Sequence, residues 1–251
     1  MSVRFFERLL ARFEREREVD RSVSTETWMS NEIVECHKMD MLCWYIVYGR
    51  TGAGKSTYAI MSLAQAAERI GYNVSWDFID DHLVFSMEDL LMYFKRVEDE
   101  GDRDVGVVVD DAGVHFHAYK AFTDKKTVMT LSSVLQLARI YTANIIFTTP
   151  NPNFILNMLR AIPDTYFVAI KRTAESTAAA GIYRINFYPP SRLRAKKIIS
   201  EEYPLKMPFK KRYDVKRAMY LKEQLVIYEQ LLKSDSEGGE DGRYTCTSIK
   251  E

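Results

Sequence analysis

The chain has 251 residues, 47% of them hydrophobic, and its 35 Lys+Arg balance 35 Asp+Glu. That length supports one sizeable core with peripheral elements, and the charge balance gives no whole-chain argument for a polyanionic partner. No window holds the roughly eighteen uninterrupted apolar residues of a membrane span, and the start, MSVRFFERLLARFERERE, mixes charge with apolar residues where a signal peptide carries an apolar block; an intracellular protein without membrane association is expected.

Residues 2–18 place Phe5, Phe6, Leu9, Leu10 and Phe13 on one face of an amphipathic helix. The opposite face carries both charge signs, so the apolar side is expected on the parent domain or a neighbouring subunit. Residues 20–31 read as a polar connector, and the periodic pattern resumes at Met41, where the core is expected to begin. Cys36, Cys43 and Cys246 are sparse and odd in number, which predicts free thiols in a reducing compartment.

From there, short apolar runs alternate with helical patterns, the mark of a parallel sheet flanked by helices. Strands are expected at residues 42–48, 73–79, 104–109, 144–149 and 165–171, and helices at 55–70, 86–98, 128–140 and 153–161. Gly71 stops the first of these helices, and Ser86 with Asp89 forms an N-terminal capping pattern for the second. Residues 182–188 and 195–200 alternate around Pro189 and Pro190 as a β-hairpin, and residues 214–232 form a helix. The division is therefore an N-terminal helix and linker (1–40), a core (41–173), a hairpin and helix (174–233) and a disordered tail (234–251).

Residues 49–56, GRTGAGKS, fit G-x-x-x-x-G-K-[ST] between a buried strand and a helix, the context that a phosphate-binding P-loop requires. Gly49, Arg50, Thr51, Gly52, Ala53, Gly54, Lys55, Ser56 and Thr57 then make the nucleotide-binding loop. The glycines permit a tight turn that faces successive N–H groups to the phosphates, and the helix N-terminus adds a favourable dipole. Lys55 supplies charge to the β- and γ-phosphates, Ser56 a hydroxyl to Mg²⁺, and Thr57 a further donor. VGVVVDD, residues 105–111, is an apolar strand delivering Asp110 to Mg²⁺ and Asp111 to the attacking water. Thr148, Thr149 or Asn151, at the end of the 144–149 strand, is placed to sense the γ-phosphate or the water; a plain strand end with helix-capping residues is the alternative.

His115, His117 and the Cys36, His37, Cys43 group lack structural zinc spacing, and no zinc is expected. Arg139, Arg160, Arg172 and Arg184 are candidates for an arginine finger acting between subunits. Basic residues crowd residues 184–217, RLRAKK and KKR among them, where a polyanion would meet the chain; a solvated hairpin whose charges protect an edge strand is the competing reading.

On GRTGAGKS, VVVDDAG and TTPNP the chain resembles the ASCE division of P-loop NTPases, in particular the DnaA/DnaC/IstB-like AAA+ ATPases and the DnaA-like ATPases of the fuselloviruses, spindle-shaped viruses of hyperthermophilic archaea. The resemblance covers residues 42–171. It implies ATP as ligand, hydrolysis assisted by Mg²⁺, water activation by Asp111, sensing by Thr148 or Thr149, oligomer formation, DNA as partner in replication initiation or helicase loading, and a place in the host cytoplasm. AAA+ proteins follow the fifth strand with a helical lid, whereas a hairpin is expected here. Packaging and translocation ATPases of the FtsK/HerA and Zot-like kind, which often lack the lid, are the competing family reading. A small-molecule kinase and an assembly protein with incidental hydrolysis are further readings; the Asp-Asp strand end disfavours the kinase.

Overall fold

The computed structural model describes residues 26–113, 129, 133–135, 137–162, 164–188 and 192–237. The expected helix at 2–18, His115, His117, residues 128, 130–132 and 136 of the expected helix at 128–140, and the tail beyond 237 lie outside the described residues.

The first described element is a helix, α1 (Trp28–Lys38), inside the stretch expected to be linker. Thr27 caps it by accepting from the Ser30 N–H, and Met29, Ser30, Ile33, Val34 and Cys36 bury one face. Polar residues interleave that short apolar stripe, so its period is weak in sequence. After α1 the chain turns back into β1 (Cys43–Tyr48), which brings Cys36 and Cys43 to a Cα separation of 6.2 Å in a disulfide. The expectation of free thiols at these two positions is corrected: counting cysteines does not reveal that a helix-to-strand reversal juxtaposes two of them.

Helix α2 (Lys55–Ile70) has the expected bounds and ends on Gly71 in the left-handed region. The strand expected at 73–79 is instead helix α3 (Trp76–Asp81), capped by Ser75, followed by the two-residue strand β2 (Leu83–Val84). The bulky alternation of that segment mimics a strand, but the Ser75 side chain accepts from the Phe78 N–H and starts a helical turn. In α4 (Met87–Glu100) both halves of the Ser86/Asp89 capping box are formed. Strand β3 (Val107–Val109) is shorter than expected, and Asp104 keeps only an isolated parallel bridge to Thr142.

Strand β4 (Asn144–Thr149) has the expected bounds. The helix expected at 153–161 breaks in two, a 3₁₀ turn Pro152–Phe154 and α5 (Asn157–Arg160), because Ile155 is extended. Strand β5 (Tyr166–Arg172) leads into the long hairpin β6 (Thr177–Tyr188) and β7 (Arg192–Pro204).

These strands form a seven-stranded sheet in the order β2-β3-β4-β1-β5-β6-β7. The first five are mutually parallel, and β6 and β7 continue the sheet antiparallel to β5. β4 therefore separates the P-loop strand β1 from the Asp110 strand β3, and the hairpin belongs to the main sheet. One face packs Trp44, Ile46 and Phe147 against Leu90, Phe94 and Val97 of α4. The molecule is thus an α/β protein with a mostly parallel sheet flanked by helices. A second compact unit begins at Phe209. It contains helix α6 (Lys210–Glu237), which extends past both ends of the expected 214–232 helix; residues 234–237, expected in the tail, are helical.

Candidate nucleotide site

The site is assembled at the carboxyl ends of β1, β3 and β4, where ligands of open α/β sheets bind. Gly49 leaves β1 at φ 149°, and a Cβ there would lie 2.3 Å from the Ile170 carbonyl oxygen on β5. Only glycine lets the loop depart so close to the neighbouring strand. Gly54, at φ 103°, closes the loop and is the N-cap of α2.

The caps of the helices differ in a telling way. Thr27, Ser75 and Ser86 each give a side-chain oxygen to the first turn of α1, α3 and α4. Gly54 gives none to α2, so the first turn of the helix after the glycine loop has N–H groups without a side-chain cap. Arg50, Thr51 and Gly52 are exposed, Ser56 and Thr57 half-buried, and Ala53 and Lys55 buried. The Lys55 ammonium donates to the Arg50 carbonyl at 3.1 Å, and the Ala53 N–H donates to the same oxygen at 3.1 Å. The lysine is thereby folded across the loop that it would serve.

Asp110 is fully buried at the end of β3, its N–H bonded to the Val84 carbonyl at 2.9 Å. Ser56 Oγ donates to Asp110 Oδ1 at 2.7 Å, and Thr148 Oγ1 donates to the same oxygen. Asp111 stands at φ 50°, a left-handed conformation uncommon outside glycine and asparagine, and its N–H donates to Thr148 Oγ1 at 3.0 Å. One threonine hydroxyl thus joins both acids, accepting from the backbone of one and donating to the carboxylate of the other. The half-buried Asp111 side chain follows from that turn.

The structure brings Ser56, Asp110, Asp111 and Thr148 into one hydrogen-bonded cluster, with Lys55 beside Ser56 in the chain and bonded to the Arg50 carbonyl. Thr149 is separate: its hydroxyl donates to the Asn151 carbonyl at 3.0 Å, and Asn151 Oδ1 accepts from the Asn153 N–H at 2.9 Å. Thr148 and Thr149 are both fully buried, so Thr148 holds the acids in place and Thr149 shapes the strand end. Among the arginine candidates, Arg160 is 4% exposed and donates to Asn153 Oδ1 at 2.7 Å, which removes it from the surface a finger must occupy. Arg184 is ion-paired with Asp164 at 2.6 Å, and Arg139 donates to the Asp40 carbonyl. Arg172, exposed at the carboxyl end of β5, donates to the Ala174 and Glu175 carbonyls.

Sequence reasoning missed a group contributed by β7. Tyr203 donates its hydroxyl to the Gly54 carbonyl at 3.1 Å, and Tyr58 donates to Glu201 Oε1 at 2.6 Å. Burial raises the Glu201 carboxyl above its ordinary range, opposed by hydrogen bonds from Tyr58 and from the Trp28 N–H. Nothing local in residues 201–205 announces a partner 149 positions earlier.

No protein-family model matches the chain. It is 25% identical over 224 residues to the uncharacterised protein B-251 of Sulfolobus spindle-shape virus 1, covering 83% of this chain and 87% of that one. It is 30% identical over 174 residues to the uncharacterised protein ORF286 of Acidianus two-tailed virus, covering 68% of this chain and 57% of that relative's length. Similar solved structures include the N-terminal domain of zonular occludens toxin from Neisseria meningitidis, at 16% identity and TM-score 0.39, covering 63% of this chain and 94% of that one. A KaiC-like protein from Pyrococcus horikoshii is similar at 14% identity and TM-score 0.37, covering 64% and 84%. The chain therefore has homologues among uncharacterised proteins of archaeal viruses, and its glycine loop stands between a buried strand and a helix, the context that the G-x-x-x-x-G-K-[ST] pattern requires.

Proposed function

We propose that the chain is a Mg²⁺-dependent ATP hydrolase that works on DNA as an oligomer. The observation carrying the first part is the junction of an α2 N-terminus without a side-chain cap and a buried Ser56–Asp110 hydrogen bond, built from β1, α2 and β3. The donor set fits the metal: a hydroxyl and a carboxylate oxygen, both hard ligands, already converge at 2.7 Å. Bound there by Ser56 and Asp110, Mg²⁺ would offset phosphate charge. In this reading the first-turn N–H groups of α2 and the Lys55 ammonium hold the phosphates, and Lys55 exchanges the Arg50 carbonyl for them. Asp111 accepts a hydrogen bond from the attacking water, at an angle set by its left-handed backbone and by Thr148.

For the role on DNA, the continuation of the sheet favours the packaging or translocation reading. β5 passes directly into the antiparallel β6–β7 hairpin, in the position where an AAA+ lid would begin. The DnaA-like initiation or helicase-loading reading retains the support of the VVVDDAG motif. The pairing of Lys196 with Arg184 and of Lys197 with Tyr183 puts these lysines toward the hairpin end remote from the P-loop.

Calorimetry with MgATP analogues tests the site. Lys55→Ala should lose about 100-fold or more in affinity, because a charged hydrogen-bonding group is removed from the phosphates. Asp111→Asn should retain affinity while turnover falls about 100-fold. Unchanged affinity in the lysine variant would remove the P-loop assignment. Turnover without DNA, with single strands and with duplex, together with mass measurement with and without nucleotide, tests the rest. Duplex stimulation supports the motor; indifference to all DNA rejects both DNA readings.

A further inference from the structure

Gly54 is pressed by the hairpin end that closes behind it. A Cβ at that position would lie 2.3 Å from Leu205 Cδ2 and 3.2 Å from the Tyr203 hydroxyl, so the last turn of the loop is in van der Waals contact with residues that follow it by about 150 positions. Tyr203 is 1% exposed, and its ring lies 4.8 Å from that of the fully buried Tyr58 in the first turn of α2. Glu201 clamps the same corner, with one carboxylate oxygen on the Tyr58 hydroxyl and the other on the Trp28 N–H at 2.7 Å. Leu205 is held by its own N–H, which donates to the Ser176 carbonyl at 2.8 Å and ties the end of β7 to the turn before β6.

The Gly54 carbonyl therefore accepts two hydrogen bonds, one from the Tyr58 N–H at 2.9 Å and one from the Tyr203 hydroxyl at 3.1 Å. A trans peptide is planar, and its C=O and N–H point in opposite directions. Fixing the Gly54 oxygen on the Tyr203 side thus aims the Lys55 N–H away from it, out of the amino end of α2. The Gly54–Lys55 peptide turns about ψ of Gly54, which is 20°, where glycine has little intrinsic preference, so the tyrosine hydrogen bond adds to the helical one from Tyr58 in fixing it.

We infer that Tyr203 is a positioning residue for the phosphate-binding loop: through the Gly54 carbonyl it preorients the Lys55 N–H toward a nucleotide phosphate, with Leu205 as the packing stop behind the peptide. This rests on the nucleotide reading above. The effect belongs to binding more than to chemistry, because the oriented N–H serves substrate and product phosphates alike.

Tyr203→Phe keeps the ring against Tyr58 and removes only the hydroxyl. Calorimetric titration with MgADP should show affinity reduced about 5- to 10-fold, as expected for one neutral hydrogen bond acting through a preorganised peptide. The KM for ATP should rise by a similar factor with kcat changed less than about twofold. The melting temperature without nucleotide should stay close to the parent's, while the upward shift produced by MgADP shrinks. Leu205→Ala, which leaves the hydroxyl in place, should also weaken MgADP binding. Parent-like MgADP affinity in Tyr203→Phe overturns this inference alone. A parent protein that binds neither MgADP nor MgATP overturns the nucleotide reading and this inference with it.

Discussion

At the amino ends of β2, β3 and β4 lie His82, Asp104 and Asn144; at the carboxyl ends of β1, β3 and β4 lie the loop before Lys55, then Asp110 and Thr148. His82, Asp104, Asn144, Asp110 and Thr148 are all buried and polar, yet the two ends are solved differently. Asn144 donates to the Val105 carbonyl at 2.7 Å and the Ile33 carbonyl at 3.2 Å, and accepts from the Tyr45 hydroxyl. Both ring nitrogens of His82 face acceptors, the Phe78 carbonyl and the Asp104 carboxylate, and Arg96 pairs with the same carboxylate at 3.3 Å. Protein groups complete that end, which fastens helices to strand ends. At the other end the helix cap is a glycine, Asp111 is left-handed and Lys55 folds onto its own loop. A network closed by protein partners stabilises; at the other end, on the reading proposed above, a helix start without a side-chain cap serves a ligand.

The sharpest way to break this comparison is Asp104→Ala. It strips the buried His82 of its carboxylate and should destabilise the fold by about 3–5 kcal/mol in denaturant titrations. MgADP affinity of the remaining folded protein should be unchanged. A large loss of affinity at full folding would mean that the two ends are coupled and not separate in function.

Thr148→Val probes the opposite end with a smaller stability effect, about 1–3 kcal/mol, because the Asp111 N–H is left without its acceptor. Turnover should fall more than tenfold, since both acids lose the hydroxyl that sets them. Near-parent turnover would assign the threonine to stability alone and place the two ends in one class.

The smallest expected effect is on pH dependence. Burial alone would raise the Asp104 carboxyl; hydrogen bonding and charge from His82, the Val105 N–H and Arg96 outweigh it and hold the group below its ordinary value of 3.8. A depressed carboxyl contributes stability that is present above the unfolded value and lost as pH falls through the folded one. Glu201 is raised instead, so its contribution has the opposite sign: present below the unfolded value, and lost as pH rises through the folded one. Acid titration of the melting temperature should therefore flatten below about pH 4 in Asp104→Asn, whereas Glu201→Gln should lose the gain in stability that the parent shows as pH falls toward 4.5. Identical acid limbs in both variants and the parent would show that other groups govern that range.

Among the described residues, no helix is long and apolar enough to cross a membrane. The elements legible in the sequence were those whose signal is local. The glycine pattern of residues 49–57 is local because it occupies consecutive positions between one strand and one helix start; α2 and β4 have the bounds expected from Gly71 and from the polar ends of an apolar run. The position of Asp110 at the strand end is legible for the same reason, since it follows three valines. Where two local signals competed, as at residues 73–79, the Ser75 cap defeated the alternation. α1 was lost because its buried face includes Ser30 and Cys36 among polar neighbours.

Other features depended on where the chain returns. The Cys36–Cys43 bond needs the reversal between α1 and β1, and the insertion of β4 between β1 and β3 is a choice among strand orders that local pattern leaves equal. The shared hydroxyl of Thr148 needs β4 beside β3, and the hydrogen bond from Tyr203 to Gly54 needs the sheet to extend past β5 until the end of β7 meets the loop. Backbone geometry and short-range hydrogen bonding act over a few residues and are therefore written in neighbouring letters. The partners that aim a peptide or join two acids are selected by packing, which compares surfaces irrespective of their distance along the chain.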